Sequence, residues 1–273
     1  MSQTHAAAHA AWADRTSPLD FLRQVETVAE ADIRKLIRDP IELLTRMIQP
    51  VLWLGIFGQV FSRARAIPTG GLRYLDFMTP GVLAQSVLFG AIFYGISLIW
   101  ERDLGIVHKY LVSPTPRSAL VLGRAVSSMT RSLCQTILVY VLALVLRVNL
   151  RFSVGALVGV AAAVMLGSAI FSTFSLVAAC IVKSRERFMG IGQVLTMPLF
   201  FASNAIYPLS MMPGWLRAIS VVNPLTYQVD ALRGLMIQSG TSLFGFAHDF
   251  AAMLVAFAIL VAIATRLYPR IIT

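Results

Sequence analysis

Trp100-Glu101-Arg102-Asp103-Leu104-Gly105-Ile106-Val107-His108-Lys109-Tyr110-Leu111-Val112-Ser113-Pro114 separates two apolar stretches, about residues 74–99 and 118–146. Each stretch reaches the ~20 residues that a bilayer core requires of a helix. The charges of the segment between them hold it out of hydrocarbon. Leu104, Val107 and Leu111 fall at i, i+3, i+7 on one helical face, and Pro114 stops the helix. The pattern therefore suggests a short amphipathic connecting helix over about 100–112, a rigid handle by which a soluble partner moves a membrane bundle. An ordinary solvated loop is the other reading of the same residues.

Composition agrees with a membrane environment. Hydrophobic residues make up 57% of the 273 and charged residues 13%, with a mean hydropathy of +0.74, which is too apolar for a soluble domain of this length. A net charge of +10 raises the question of nucleic acid, but the basic residues are scattered between apolar runs, so no nucleic-acid partner is expected. With six spans and an inside N-terminus, the cytoplasmic side collects Arg15, Arg23, Arg34, Lys35, Arg38, Arg46, Arg102, Lys109, Arg117, Arg124, Arg131, Lys183, Arg185, Arg187, Arg266 and Arg270. Arg63, Arg65, Arg73, Arg147, Arg151, Arg217 and Arg233 fall outside. That excess favours this orientation over its inverse. Met1–Asp14 has no basic cluster followed by an apolar core, so no cleaved leader is expected. Cys134 and Cys180 sit in apolar runs and suggest neither a disulfide nor a metal site.

The expected architecture is an all-α integral membrane protein. Residues 1–16 form a disordered tail. Residues 17–39 form a cytoplasmic interfacial helix, capped by Ser17-Pro18 and carrying Leu22, Val25, Ala29, Ile33 and Leu36 on one face. A transmembrane domain over 40–273 has spans at about 41–61, 74–99, 118–146, 154–182, 188–206 and 247–265. Gln49-Pro50 should kink the first span. Arg124 and Arg131 would cost ~2.5–3.5 kcal/mol each at the bilayer centre, so the third helix should protrude into the cytoplasm before entering lipid near Leu133. Gly155, Gly159, Gly167, Ser168, Ser172 and Ser175 suit the fourth span to the centre of the bundle. Residues 207–245 hold two apolar pieces too short to cross, split by Asn223-Pro224, and read as a re-entrant outer helical hairpin.

Three groups of motifs carry a family resemblance over most of the chain from Arg38 onward. The first is Glu101-Arg102-Asp103, Gly105, Leu111-Val112-Ser113-Pro114 and Leu122-Gly123-Arg124. The second is Arg38-Asp39-Pro40 with Gln49-Pro50-Val51-Leu52-Trp53 and Phe57-Gly58-Gln59-Val60-Phe61. The third runs from Ala205-Ile206-Tyr207-Pro208-Leu209 through Met212-Pro213-Gly214-Trp215-Leu216 and Asn223-Pro224-Leu225-Thr226-Tyr227 to Asp230-Ala231-Leu232-Arg233. In this order they resemble ABC-2 type transport permeases, the third group being similar to the daunorubicin-resistance and nodulation-factor exporter branch. His108 departs from the family, which more often has an acidic or threonine-like residue there. The resemblance implies a six-span exporter subunit that pairs with a second permease, itself or a paralogue, above ABC ATPase subunits that bind ATP and Mg. Its cargo would be a drug, glycolipid or lipid-linked saccharide. The contact with the ATPase would fall on Glu101, Arg102, Asp103, Gly105, Val107, Lys109 and Leu111.

No Gly-x-x-x-x-Gly-Lys-Ser/Thr loop occurs, so ATP hydrolysis would belong to another polypeptide and this chain needs no cofactor of its own. His5, His9, His108 and His248 form no metal-ligand pair and no Ser-His-Asp set, which argues against an enzyme. Asp76, Asp230 and Asp249 fall near the outer boundary as interface anchors, and a proton-coupled carrier would place carboxylates at mid-membrane. Trp53, Phe57, Met197, Phe200 and Phe201, with Asn204 and Tyr207 for hydrogen bonds, suit an amphipathic cargo and suit plain lipid-facing positions equally. A membrane scaffold, a carrier not driven by ATP and a membrane-embedded lipid-modifying enzyme remain the rival classes. In a variant without Cys134 and Cys180, a cysteine at Thr69 should react with an impermeant maleimide on intact cells. Cysteines at Arg102 and Arg185 should react only after permeabilisation, and labelling of Arg102 on intact cells would reverse the orientation.

Overall fold

The computed structural model describes Arg23, Glu30, Arg34 and residues 45–64, 67–104, 117–182 and 184–268. The first helix, α1, joins Ile48–Leu52, a π-helical stretch Trp53–Gly58 and Gln59–Ala64. It is followed by α2 (Tyr74–Asp103), α3 (Arg117–Val145), α4 (Val154–Ile181), α5 (Arg185–Phe201), α6 (Gly214–Val222), α7 (Pro224–Met236) and α8 (Phe246–Leu267). Among the described residues four helices are long and apolar enough to cross a membrane, at Tyr74–Glu101, Ser118–Val145, Val154–Ile181 and Phe246–Leu267. They overlie the apolar stretches 74–99, 118–146, 154–182 and 247–265. The expected tail 1–16 lies outside the described residues. So does the interfacial helix 17–39, except that Arg23, Glu30 and Arg34 are helical and exposed. Arg34 donates to Glu30 at 2.6 Å, and this bond raises the arginine's pKa.

α4 is the centre of the bundle, with α2, α3, α7 and α8 packed around it. Small residues make that possible. The position of Gly167 is filled by the Gln228 side chain of α7, and that of Gly159 by Leu235. Hydroxyls then join the backbones. Ser128 of α3 and Ser168 of α4 lie 2.7 Å apart, and Ser175 donates to the Ile92 carbonyl of α2. Glycines and serines at helix contacts supply the close approach and hydrogen bonding that lipid cannot provide.

Three segments differ from expectation. α2 does not end at Ile99 but continues through Trp100 and Glu101 to Asp103, so the connector's first residues belong to a membrane helix. Burial of Glu101 against Arg124 is the physical reason. In α1 the helix is irregular on both sides of Gln49-Pro50. Arg46 and Met47 form a turn, and the π-helical stretch begins at Trp53. Proline cannot donate to the carbonyl four residues back, here that of Arg46, and its ring crowds it. The two short helices α6 and α7 break at Asn223 as the sequence indicates. The Asn223 side chain accepts from Leu225 N at 3.0 Å and donates to the Leu199 and Ala202 carbonyls at 2.7 and 3.1 Å. Pro224 then opens α7. Yet α7 packs within α2, α4 and α8, with residues 225–234 all buried. α5 ends at Phe201, short of residue 206, and its 17 residues span ~25 Å.

Gly81 of α2 shows how tight this packing is, since a Cβ there would lie 2.3 Å from the Ala205 carbonyl oxygen. Gly81→Ala should therefore lower thermal stability by ~1–3 kcal/mol in detergent. Gly155→Ala, at a helix position with nothing within 4 Å, should leave it unchanged or raise it slightly. Equal melting temperatures for the two variants would contradict the close approach.

Candidate functional site

At one end of the bundle, where the connector leaves α2, five helices meet around one ion pair. The Arg124 guanidinium of α3 donates to the Glu101 carboxylate of α2, and both side chains are nearly covered. Tyr268, just beyond α8 and fully buried, and Cys180 of α4 complete the cluster with Ile99, Leu120, Val121, Leu176 and Phe188. Burial raises the pKa of the Tyr268 hydroxyl, and the Arg124 charge opposes it. Outside this knot the Arg185 guanidinium of α5 lies 3.7 Å over the Trp100 ring. Glu101 is thus placed facing Arg124 and not solvent. The backbone of Arg102 and Asp103 is helical. Their side chains and all of Gly105, Val107, Lys109 and Leu111 lie outside the described residues. Arg124 likewise finds its partner inside the bundle.

The opposite end is closed by carboxylates. Asp76 accepts from Arg73 at 2.8 Å and from the Asn149 amide at 2.9 Å. Asp230 of α7 accepts from Ser242 Oγ and the Leu243 and Phe244 amides at 3.0, 2.7 and 3.0 Å. Ser242 Oγ also lies 2.8 Å from Asp249, so its single proton is shared between the two carboxylates. All three acids are buried, so they hold loops to helices from within and are not anchors at a surface. Beside them a cleft of about 400 Å³ is lined by Phe77, Asn204, Asp230, Arg233 and residues of the flanking loops. Arg233 lies 3.9 Å over the Phe77 ring and donates to the Asn204 carbonyl at 2.7 Å. Burial lowers its pKa to about 10, against the opposing charge of Asp230, so it is a cation at neutral pH. The Asn204 Oδ1 is buried without a hydrogen-bond partner.

The aromatic residues singled out from the sequence are largely brought together. Trp53 and Phe57 on α1 pack as a tilted pair with centroids 4.8 Å apart, Phe200 meets Trp53 edge-on at 5.7 Å, and Phe201 lies 5.4 Å from Phe200. Tyr207 reaches this group only through its hydroxyl, which donates to the Phe201 carbonyl, and partial burial raises its pKa. Met197 stands partly exposed on α5, and Asn204 belongs to the other cleft. Trp53 and Phe57 open onto a cleft of about 680 Å³ between α1 and α2, shared with Ile48, Gln49, Leu52, Phe89 and Phe93.

Its polar end was not anticipated from the sequence. Arg46, Ser86 and Gly90 line the cleft and also a smaller cavity behind it, which is completed by Ser128, Arg131, Ser132, Gln135 and Ser168. Ser128, Arg131, Ser132 and Gln135 recur at i, i+3, i+4, i+7, a polar stripe along α3 that periodicity was able to reveal. Among the described residues no group of three His, Cys, Asp or Glu side chains is placed to hold a metal ion.

Residues 23–237 match the ABC-2 type transporter family. The chain belongs to that family. It is 30% identical over 221 residues to the putative transport permease ycf38 of Cyanophora paradoxa, covering 80% of this chain and 76% of that one. It is 30% identical over 244 residues to the daunorubicin resistance ABC transporter permease protein DrrB1 of Streptomyces coeruleorubidus, covering 85% and 80%. Against the inner membrane transport permease YadH of Escherichia coli K12, identity is 25% over 197 residues, covering 70% and 73%. The ABC-2 chain is therefore a multi-pass membrane permease, of a family that works with an ABC ATPase. In this permease the motif acid Glu101 and the motif base Arg124, 23 residues apart, are partners of each other. Removing one member of a buried pair leaves the other charge uncompensated, at ~3–5 kcal/mol. Arg124→Ala and Glu101→Ala should each lower the melting temperature of the purified permease sharply, and the double variant should lose less than their sum. Additive losses would mean that the two charges do not act as a pair.

Proposed function

We propose that this ABC-2 chain is the membrane-spanning half-unit of an ATP-driven exporter that carries an amphipathic molecule through the cleft between α1 and α2. The observation that carries the reading is the cleft itself, apolar and aromatic at Trp53, Phe57, Phe89 and Phe93 and cationic at Arg46. Clefts of this volume, mostly apolar with a few convergent polar groups, are the usual form of small-molecule sites. The relatives named for daunorubicin and doxorubicin resistance support a drug-like cargo.

In this reading α1 and α5 are the remaining spans, both termini are cytoplasmic, and α6 with α7 enters and leaves from outside. Exposed apolar side chains on α1 (Ile48, Val51, Leu52, Ile56) and α5 (Met189, Ile191, Val194) support contact with lipid and with a second permease subunit. ATP and Mg are held by the ATPase, whose closure on nucleotide pushes the connector. Arg102, Asp103, Gly105, Val107, Lys109 and Leu111 of that connector make the contact, while Glu101 acts by fixing α2 to α3. Polar groups facing the ATPase set docking through charge complementarity. Lys109→Glu should leave the permease folded, weaken copurification of the ATPase and reduce ATP-dependent export several-fold. Undiminished copurification and export would show that the connector is only a solvated loop.

A further inference from the structure

Ser242 stands between two acids at the end of the bundle away from the connector. Its Oγ lies 3.0 Å from Asp230 Oδ2 and 2.8 Å from Asp249 Oδ2, and it accepts from the Gly245 amide at 2.7 Å. A serine hydroxyl makes one bond as donor and at most two as acceptor. Its own proton, shared between the two carboxylates, fully satisfies only one of them, and the Gly245 amide fills one lone pair. The remaining lone pair faces the other acid. That third contact becomes a hydrogen bond when the second acid brings a proton of its own. Without one, two like charges would face a single oxygen with both side chains buried, an arrangement in which two carboxylates do not both ionise.

The surroundings say which acid is which. Asp230 Oδ2 also accepts from the Leu243 and Phe244 amides at 2.7 and 3.0 Å, and the Arg233 cation faces it from the next turn of α7. Donors and a cation of this kind hold a carboxylate ionised. Asp249 has none of them. Its side chain is fully buried, its Oδ1 has no hydrogen-bond partner, and its Oδ2 bonds only to Ser242. The other titratable groups at this end are turned elsewhere. His248 packs on Tyr227 and Phe244 with ring centroids 5.6 and 6.0 Å apart, and Arg151 donates to the Gly234 and Gln238 carbonyls. Of the other helices packed on α8, α4 carries no charged residue, and α3 brings only Cys134 and Tyr140 beyond Arg131.

We infer that Asp249 and Asp230 hold one proton between them through Ser242, Asp249 as the acid and Asp230 as the carboxylate, and that this proton fastens the loop 237–245 to α7 and α8. The Asp249 O–H donates to Ser242 Oγ, and the Ser242 O–H donates to Asp230 Oδ2. Ser239, Thr241 and Leu243 of that loop line the cleft of about 400 Å³, so the latch governs how firmly one wall of the cleft is held. The two acids titrate as a pair. As pH rises and the second acid ionises, like charges face each other across Ser242, the bond from α8 is lost, and the loop loosens. As pH falls the latch closes again. The assignment is independent of what the permease carries.

Infrared spectroscopy of the purified full-length permease at neutral pH should show the C=O stretch of a protonated carboxyl group that disappears in Asp249→Asn. Ser242→Ala should shift that band, because the acid loses its acceptor. An asparagine at 249 donates to Ser242 as the acid does, so Asp249→Asn should melt close to wild type. Asp230→Asn, which removes the charge that two amides and Arg233 face, should melt several degrees lower. Amide hydrogen exchange of the segment 240–246 should be equal in wild type and Asp249→Asn at mildly acidic pH and several-fold faster in wild type at alkaline pH. Comparing the two at one pH cancels the chemical rate. A carboxyl band that survives Asp249→Asn, or equal exchange in both proteins at every pH, overturns the inference. Failure of Asp249→Asn to fold while Asp230→Asn folds reverses the assignment and overturns it too. The Ser242→Ala comparison needs neither aspartate variant, and no protonated carboxyl band in wild type, or one that Ser242→Ala leaves unshifted, is equally decisive against it.

Discussion

The buried contact between Glu101 and Arg124 is the interaction on which the connector end of the fold depends. It lets α2 remain helical to Asp103 when its charges would otherwise force it out of the bundle at Ile99, and it fastens α2 to α3 beside α4 and Tyr268. Two charges at such depth are tolerable only as partners, since each alone would carry the full desolvation penalty. The arrangement has a mechanical consequence. A connector that starts from a helix locked to its neighbour transmits displacement to both helices, whereas a connector hanging from a frayed end transmits little.

The rest of the bundle applies the same rule of internal satisfaction. Ser128 and Ser168 bond across α3 and α4, Ser175 bonds to the α2 backbone, and Asp230 collects two backbone amides and a hydroxyl at the far end. Polar groups without water must find partners in the protein. The rule has exceptions, since the side-chain oxygens of Gln135, Asn204 and Gln228 are buried without a hydrogen-bond partner. The π-helical turn of α1 presents Trp53 and Phe57 to the cleft between α1 and α2, and π-bulges are frequent at functional positions.

The helices α2, α3, α4 and α8 were legible in the sequence because long apolar runs end at polar or proline-rich segments such as Arg147–Ser153. The break at Asn223-Pro224 was legible because asparagine caps and proline starts a helix. What was hidden depended on residues distant in sequence. Nothing near Glu101 announces Arg124 as its partner, so the acid reads as solvent-facing. Residues Thr226, Gln228, Asp230 and Arg233 make α7 look too polar for the interior, and only the carbonyl of Asn204, the ring of Phe77 and the amides after Ser242 make its burial possible. Of the candidate path, the aromatic residues were visible by type. Arg46 and Arg131 read as cytoplasmic charges, and nothing in the sequence near either one announces that they line one cavity.

The most direct test of this account is ATP-dependent transport by the permease reconstituted with its ATPase, comparing Glu101→Arg, Arg124→Glu and the two together. If the pair is an internal joint, each single reversal abolishes transport by burying like charges side by side, and the exchanged pair restores a measurable fraction. If Glu101 is instead a contact to the ATPase, the exchange leaves an arginine facing the motor, and transport stays as low as in Glu101→Arg alone.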